Sequence, residues 1–436
     1  MKKLFAYDSE KPSRAVMRVN LFTSLVLIVF GLFAEGNPIQ SLKGVWTIFT
    51  SEGSLITDYI ITAGIGGAFL NAGLAMLLAV ITIRLSGATF GGASLGCCYI
   101  VAGFALFGKN VFNMIPIITG TWIYANVVKE PFSKHVLTAL FATCAGPIVQ
   151  YCMFHNPLID SMAINAVLGI ILSMLIGFVV PPVAGIAART HNGMLIYNVG
   201  FAAGFVCIVL VSILKGIGFE FAGRSSWCDQ YNQMLTVFLV VLFGSHILLG
   251  FLLNDCSFKG LLNLPKHSGQ LPCDYVALEG LPITMVNMGI LGLMSTFYVL
   301  AVGGDLSGPI LAAILSVGGF GGLGKNYYNV IWAVLGIVIL SFLPSSVWAL
   351  NEPVALLGAL FSTCICSFAG KYGPIYGIIA GMLHISVVRN TASMYGWINL
   401  YNNGFAAGLV CMIWLPIVQI VQDVLKRPKK SELQLK

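Results

Sequence analysis

The chain is written twice. Adding 216 to a position in the first half pairs, without a gap, Asn71 with Asn287, Gly73 with Gly289, Gly92 with Gly308 and Gly103-Phe104 with Gly319-Phe320. The same offset lays "GKNVFN" at Gly108 over "GKNYYN" at Gly324. After small length changes the match continues through "EP" at Glu130 and Glu352 and "LFATC" at Leu140 against "LFSTC" at Leu360. It closes on "LIYNVGFAAGFVC" from Leu195 and "NLYNNGFAAGLVC" from Asn399, at an offset of 204. Two copies of about 200 residues, beginning near Arg18 and Met234, therefore fill almost the whole chain, and internal repeats of this kind dictate architecture before any local signal does.

Each copy holds seven apolar runs. A run of about 20 apolar residues is long enough to span a bilayer. Such runs occur near 17–34, 59–83, 88–107, 111–128, 135–154, 163–188, 195–214, 234–253, 281–301, 306–323, 327–345, 354–370, 371–389 and 395–421. Composition agrees: 58% of residues are hydrophobic and 9% charged, against about 25% charged in a soluble domain. An odd number of segments per copy makes the second copy enter the membrane upside down relative to the first. The predicted fold is thus an all-α membrane protein, a polytopic helical bundle of two inverted-topology repeats with about 12–14 membrane segments, the Gly-rich ones being candidates for re-entrant helices. The predicted divisions are an N-terminal segment 1–17, a first repeat 18–215, a connecting loop 216–233, a second repeat 234–425 and a basic tail 426–436. The first apolar run follows "MKK" as a signal peptide would, yet its mate at 234–253 lies mid-chain, so it reads as a retained helix.

The net charge of +7 comes from basic residues gathered at the ends: Lys2, Lys3, Lys11, Arg14 and Arg18, then Lys426, Arg427, Lys429, Lys430 and Lys436. That is the positive-inside pattern of a lipid-embedded chain with both termini cytoplasmic, not a nucleic-acid surface. In the loops, Arg84, Lys129, Lys134, Arg189, Lys259, Lys266, Lys325 and Lys371 fall on the cytoplasmic side, against Lys43, Lys109, Lys215, Arg224 and Arg389 outside. The eleven cysteines lie mostly within apolar segments and read as buried thiols; Cys256 and Cys273 pair only if their loop faces an oxidising compartment.

Inverted repeats are a hallmark of secondary transporters and several channels, whose sites lie near the midplane between the repeats and are flagged by Gly- or Pro-interrupted segments at matching places. "SGATFGGASLG" from Ser86 and "VGGDLSGP" from Val302 fit: Gly91 and Gly92 align with Ser307 and Gly308, and Thr89 with Asp305. Broken helices there would aim backbone N–H groups at a solute, the alternative being close packing through small residues. In "GKN-x-x-N" the lysines stand at a segment boundary, placed to snorkel to the interface. Asn113 and Asn329 lie three residues from Asn110 and Asn326 on one helical face, where they either cap a helix or line a vestibule. Glu130-Pro131 and Glu352-Pro353 read either as helix starts or, facing a cavity, as proton- or cation-coupling groups. His384 and His246 sit in apolar segments without mates; His384 is a secondary candidate for proton handling.

The closing motif combines two requirements. Gly200-x-x-x-Gly204 and Gly404-x-x-x-Gly408 bring two helices into close contact. Tyr197-Asn198 and Tyr401-Asn402 then put a phenol and an amide at the head of each contact, bonding either to each other or to a small polar solute, with Phe201 and Phe405 as apolar walls. No Ser-His-Asp order, His-Glu-x-x-His, Walker A loop or nucleotide fingerprint occurs, so neither an enzyme nor a cofactor or metal site is expected.

The duplicated "YN-x-GFAAG" halves resemble a family of uncharacterised bacterial inner-membrane proteins carrying a domain of unknown function. That resemblance spans nearly the whole chain and implies a multi-pass protein of the bacterial plasma membrane, without an activity. Locally, "LYNNGFAAGLV" is similar to the Tyr-Asn-Gly helix of urea transporters, which are built from two inverted halves with partly re-entrant segments and pass a small neutral solute. This likeness covers about a dozen residues per half. The Leu-Pro-Phe-Asn motif of that family is absent, and here the Tyr-Asn stretch closes each copy.

The expected function is that of a transporter or channel-like permease for a small polar solute, with a proton or cation as a further partner and homo-oligomerisation left open. The expected binding residues are Tyr197, Asn198, Phe201, Tyr401, Asn402, Phe405, Thr89, Gly91, Gly92, Ser307, Gly308, Asn113 and Asn329, with Glu130, Glu352 and His384 as coupling groups. The alternatives are a membrane-embedded enzyme and a structural or sensory partner in an envelope complex.

Overall fold

The computed structural model describes residues 12–53, 55–343 and 349–426. Lys2, Lys3, Lys11, Arg427, Lys429, Lys430 and Lys436, and with them most of the two predicted terminal segments, lie outside the described residues. Among the described residues the architecture is entirely helical. The first repeat runs α1 (Pro12–Phe33), α2 (Pro38–Thr50), α3 (Tyr59–Leu85), α4 (Gly92–Phe104), α5 (Val111–Val127), α6 (Val136–Ala142), α7 (Ile148–His155), α8 (Met162–His191) and α9 (Asn198–Gly216). The second runs α10 (Asn232–Leu253), α11 (Tyr275–Glu279), α12 (Leu281–Ala301), α13 (Gly308–Gly319), α14 (Asn329–Ser341), α15 (Pro353–Ser362), α16 (Ser367–Tyr372), α17 (Pro374–Thr391) and α18 (Asn402–Lys426).

The duplication extends to the irregularities. Helix α3 kinks at Gly64, with φ 74° and ψ 163°. Its mate is divided 216 residues later at Gly280, φ 82° and ψ 157°, into α11 and α12. Both positions need a conformation that only glycine adopts cheaply.

Among the described residues, eight helical stretches are long and apolar enough to cross a membrane: α1, α3, the continuous Val136–His155 stretch, α8, α9, α10, α12 and α18. Four more apolar helices are short: Gly92–Phe104, Gly308–Gly322, Asn329–Ser341 and Pro353–Ile365. Eight long and four short apolar helices agree with the expectation of about 12–14 segments, the Gly-rich ones being too short for a full span. The runs at 88–107 and 306–323 begin in loops that break the helix at glycine, leaving α4 with 13 residues. Thirteen residues rise about 20 Å, short of a hydrocarbon core about 30 Å thick. The run at 354–370 is divided at the 3-10 turn Thr363–Ile365, which leaves the short helix Pro353–Ile365.

The two short helices α4 and α13 lie against each other at the repeat interface. They run antiparallel: a Cβ at Gly103, near the end of α4, would fall 2.8 Å from Ala312 Cα, near the start of α13. Every residue of α13 is buried. Around this pair the packing is itself duplicated: α1 lies on α3 as α10 lies on α12, α5 on α8 as α14 on α17, and α9 crosses α18. The outer helices turn apolar side chains outward, as with Val167, Ile171, Leu175 and Ile186 of α8 and Val237 and Val241 of α10, which suits a lipid-facing belt.

Candidate membrane-core site

Two aspartates that are repeat mates, Asp58 and Asp274, organise the broken segments. Asp58 caps the start of α3 through Ile60 N at 2.9 Å, and its other oxygen accepts from Cys228 N and, in the other repeat, Gly308 N, both at 3.0 Å. Asp274 caps α11 through Val276 N at 2.9 Å and reaches back to Gly92 N at 2.8 Å. Each carboxylate thus satisfies its own helix and the first N–H of the other repeat's short helix. These are the orphan donors of a helix start, where a negative group is favoured. The expectation that Gly91, Gly92, Ser307 and Gly308 aim N–H groups at a solute is therefore corrected: the protein's own carboxylates occupy the ends of α4 and α13. Ser307 is a buried cap, accepting from Ile310 N, and Thr89 is exposed in the preceding loop.

Beyond α4 and α13 come the matched "GKN" turns. Gly108 and Gly324 take positive φ, 98° and 78°, and reverse the chain. Asn71 then clamps one turn by donating to Ala105 O and Lys109 O at 2.7 and 2.8 Å. Asn287 clamps the other through Gly321 O and Lys325 O at 2.9 and 2.8 Å. Asn110 and Asn113 exchange backbone-to-side-chain bonds at 3.0 and 2.9 Å, as Asn326 and Asn329 do at 2.9 Å each. Asn113 Nδ2 and Asn329 Nδ2 also close on Gly108 O and Gly324 O, both at 2.8 Å. Of the two roles open to Asn113 and Asn329, the structure gives them capping.

Held in this way, the turns direct their lysines inward. Lys109 and Lys325 are fully buried, which corrects the expectation that they snorkel to an interface. Lys109 Nζ donates to Tyr401 Oη at 2.6 Å, and Lys325 Nζ donates to Tyr197 Oη at 2.6 Å and to Thr363 Oγ1 at 2.8 Å. The ammonium groups also sit over the partner rings, 4.5 Å from each tyrosine centroid. Every lysine–tyrosine pair therefore joins one repeat to the other. Among the described residues neither ammonium has a carboxylate in ion-pairing range. Besides the tyrosine phenols, the titratable groups near them are thiols, Cys97 and Cys144 about Lys109 and Cys364 and Cys366 about Lys325.

A row of rings connects the pairs. Tyr401 meets Phe104 edge-on at 4.6 Å, Phe104 meets Phe361 at 5.5 Å, and Phe361 meets Tyr197 at 6.2 Å. The tyrosines reach the centre because α9 and α18 cross at their glycines. A Cβ at Gly200 would fall 2.9 Å from Tyr401 Cβ, and one at Gly404 3.2 Å from Tyr197 Cβ. Phe405 and Phe201 press into the faces left open by Gly204 and Gly408, so these phenylalanines pack the crossing and are not walls of a cavity.

The neighbouring asparagines face the other way. Asn198 donates to Ala184 O at 3.0 Å and pairs with His191 at 2.8 Å. Asn402 donates to Val388 O at 3.0 Å and accepts from Thr391 at 2.7 Å and from Tyr395. Each amide ties its helix to the preceding helix of the same repeat, so the two do not meet each other. Glu130 is on the surface, paired with His135 at 2.7 Å and Lys134 at 3.2 Å. His135 and then Lys134 hold its carboxyl below the ordinary value of 4.5. Glu352 is an exposed residue at the start of α15. Neither glutamate faces a cavity at the repeat interface. His384 is buried, with Nε2 3.2 Å from Asn403 O.

Sequence reasoning missed the lysines, Asp58 and Asp274. A signal for the lysines was present: an inverted repeat carries mates to opposite sides of the membrane, so positive-inside bias accounts for one lysine of a matched pair, not both.

Antiparallel short helices at the centre, an outward apolar belt and a duplicated helical plan define a multi-pass membrane protein of two inverted repeats. The chain belongs to the family described as Protein of unknown function (DUF1576), which matches it twice, over residues 37–216 and 253–420, once per repeat. No curated protein and no solved structure matches it.

Proposed function

We propose that this protein is a membrane permease for a small polar solute, which crosses between the repeats at the two lysine–tyrosine pairs. The observation that carries this reading is the burial of Lys109 and Lys325, each bonded at 2.6 Å to a tyrosine of the opposite repeat and, among the described residues, neither matched by a carboxylate. Intramembrane charges are expensive and are retained where a solute or proton passes. In an inverted repeat the two halves exchange roles when access switches sides, so cross-repeat pairs are remade in each cycle. The pairs differ here: Lys325 has Thr363 as a further partner, and Thr363 also borders an open, largely apolar cleft of about 160 Å³ between Leu291, Met294, Tyr298 and Val334. We infer that both termini are cytoplasmic from the basic residues at the chain's two ends, and a bacterial plasma membrane from the resemblance of its duplicated halves.

The test is uptake into proteoliposomes containing the purified full chain, for a panel of small neutral and charged solutes. Accumulation above protein-free vesicles, lost in Lys109→Met and Lys325→Met, is expected. Uptake by the folded variants at the native rate would remove the lysines from the pathway, and no uptake of any solute by the folded native protein would sink the permease reading.

A further inference from the structure

We propose that the solute is a small singly charged anion, bound at Lys109 and Lys325 and carried together with one proton held on the lysine nitrogen. This rests on the permease reading and adds the substrate class.

A charged lysine offers three N–H donors and accepts nothing. Lys109 spends one of them, on Tyr401 Oη. The phenol then accepts with its oxygen, and among the described residues its own hydrogen has no acceptor. Two N–H donors and one O–H donor therefore remain over at Lys109 and Tyr401. Lys325 spends two, on Tyr197 Oη and Thr363 Oγ1, and Thr363 passes its own hydrogen to Leu360 O. One N–H and one O–H remain there. Buried donors without acceptors are costly, and a buried ammonium without a counter-charge more so.

Nothing among the described residues supplies the missing acceptors. Asp58 is the one fully buried carboxylate among the described residues, and its oxygens are taken by the N–H groups of Ile60, Cys228 and Gly308. The thiols near each lysine and the tyrosines themselves are neutral groups. An acceptor-rich ion with one negative charge complements both the surplus donors and the ammonium, and the ring faces over each nitrogen confine it to a small size. Without such an ion the lysine is neutral: its lone pair accepts the phenol hydrogen, which removes the charge and the O–H surplus and leaves over only the weaker amine N–H donors, two at Lys109 and one at Lys325. Each site thus has a charged state matched to an anion and a neutral state matched to the closed, dry interface. Passing from one to the other gains or loses an anion together with a proton on Nζ, so one neutral acid equivalent moves.

The experiment loads proteoliposomes containing the full chain with a pH-reporting dye and presents nitrate or formate, with urea and glycerol as neutral probes. Anion entry with acidification of the interior is expected, falling about thirtyfold or more in Lys109→Met and Lys325→Met, the order seen when a buried charged partner is truncated. If those variants do not fold, Tyr401→Phe and Tyr197→Phe decide instead, since they keep the lysines and remove the phenol donor; anion entry about tenfold slower is expected, the worth of one hydrogen bond to a charged group. Entry of urea or glycerol but of neither anion would overturn the anion assignment while leaving a permease. Anion entry that builds a potential without acidification would overturn the proton. No entry of any probe into vesicles holding folded protein would overturn the permease reading along with it.

Discussion

Lys109 Nζ lies 2.6 Å from the phenol oxygen of Tyr401, a residue 292 positions away in the other repeat, and Lys325 repeats the relationship with Tyr197. The exchange follows from geometry. Inversion places the end of α4 beside the start of α13, so a side chain leaving the turn after α4 is directed at the opposite repeat's closing helix. A duplicated sequence with one lysine and one tyrosine per copy yields two crossed pairs without further specification.

These pairs predict opposite effects for their two members. Replacing Lys109 by Met removes a buried charge and fills its volume, a change that is often neutral or stabilising by about 1–4 kcal/mol in buried ionic sites. Replacing Tyr401 by Phe leaves the amine without its partner and costs about 1–3 kcal/mol. Thermal unfolding in detergent should therefore show Lys109→Met at or above the native midpoint and Tyr401→Phe below it. The reverse order would mean that the lysine is a structural tie.

Asp58 predicts a different kind of loss. It accepts from Ile60, Cys228 and Gly308, which joins the start of α3, the inter-repeat connection and the start of α13. Asp58→Ala leaves these N–H groups unpaired; single caps are worth about 1 kcal/mol and bonds to a charged acceptor about 1.5–3 kcal/mol. Asp274, half-buried and bonded to Gly92, Val276 and Ala277, should behave alike with a smaller loss. Comparison of the two unfolding midpoints checks the ranking, and equal midpoints for native and Asp58→Ala would remove its capping role.

The inverted repeat was legible in the sequence because it depends on counts and offsets that survive divergence, and the glycine crossing was legible because Gly-x-x-x-Gly has one dominant meaning in a bilayer. The direction of neighbouring side chains was not. Tyr197 and Asn198 are adjacent, yet the first points across the interface and the second back to Ala184 and His191. A one-residue step turns a helix by about 100°, and no motif says which face looks inward. The lysines were misplaced for a related reason: a cation between two apolar runs reads as a loop residue until the turn that carries it is seen clamped beneath Asn71 or Asn287.

The glycine crossing predicts a sharp dependence on volume. A side chain at Gly204 would overlap the Phe405 ring, and one at Gly408 the Phe201 ring. Overpacking of this kind typically costs about 1–3 kcal/mol, and it would also separate α9 from α18 and draw the tyrosines off their lysines. Gly204→Val should lower both the unfolding midpoint and solute uptake, and pairing it with Phe405→Ala should restore part of the midpoint. Failure of the second change to rescue the first would show that the two positions do not oppose each other.

Glu130 offers a pH test away from the membrane core. His135 first, then Lys134, holds its carboxyl below 4.5, so its folded value is depressed. Such a group contributes stability that is present above the ordinary value and lost as pH falls through the folded value. Glu130→Gln should therefore melt slightly below the native protein at neutral pH, with the gap closing once the pH drops below 4.5. The contribution is small, because the pair is solvent-screened. Since the carboxylate lies on the surface and its partners are its own neighbours in sequence, uptake at neutral pH should match the native rate. Loss of uptake in Glu130→Gln, with the fold intact, would return this glutamate to the transport path and require a conformation in which the loop between α5 and α6 turns inward.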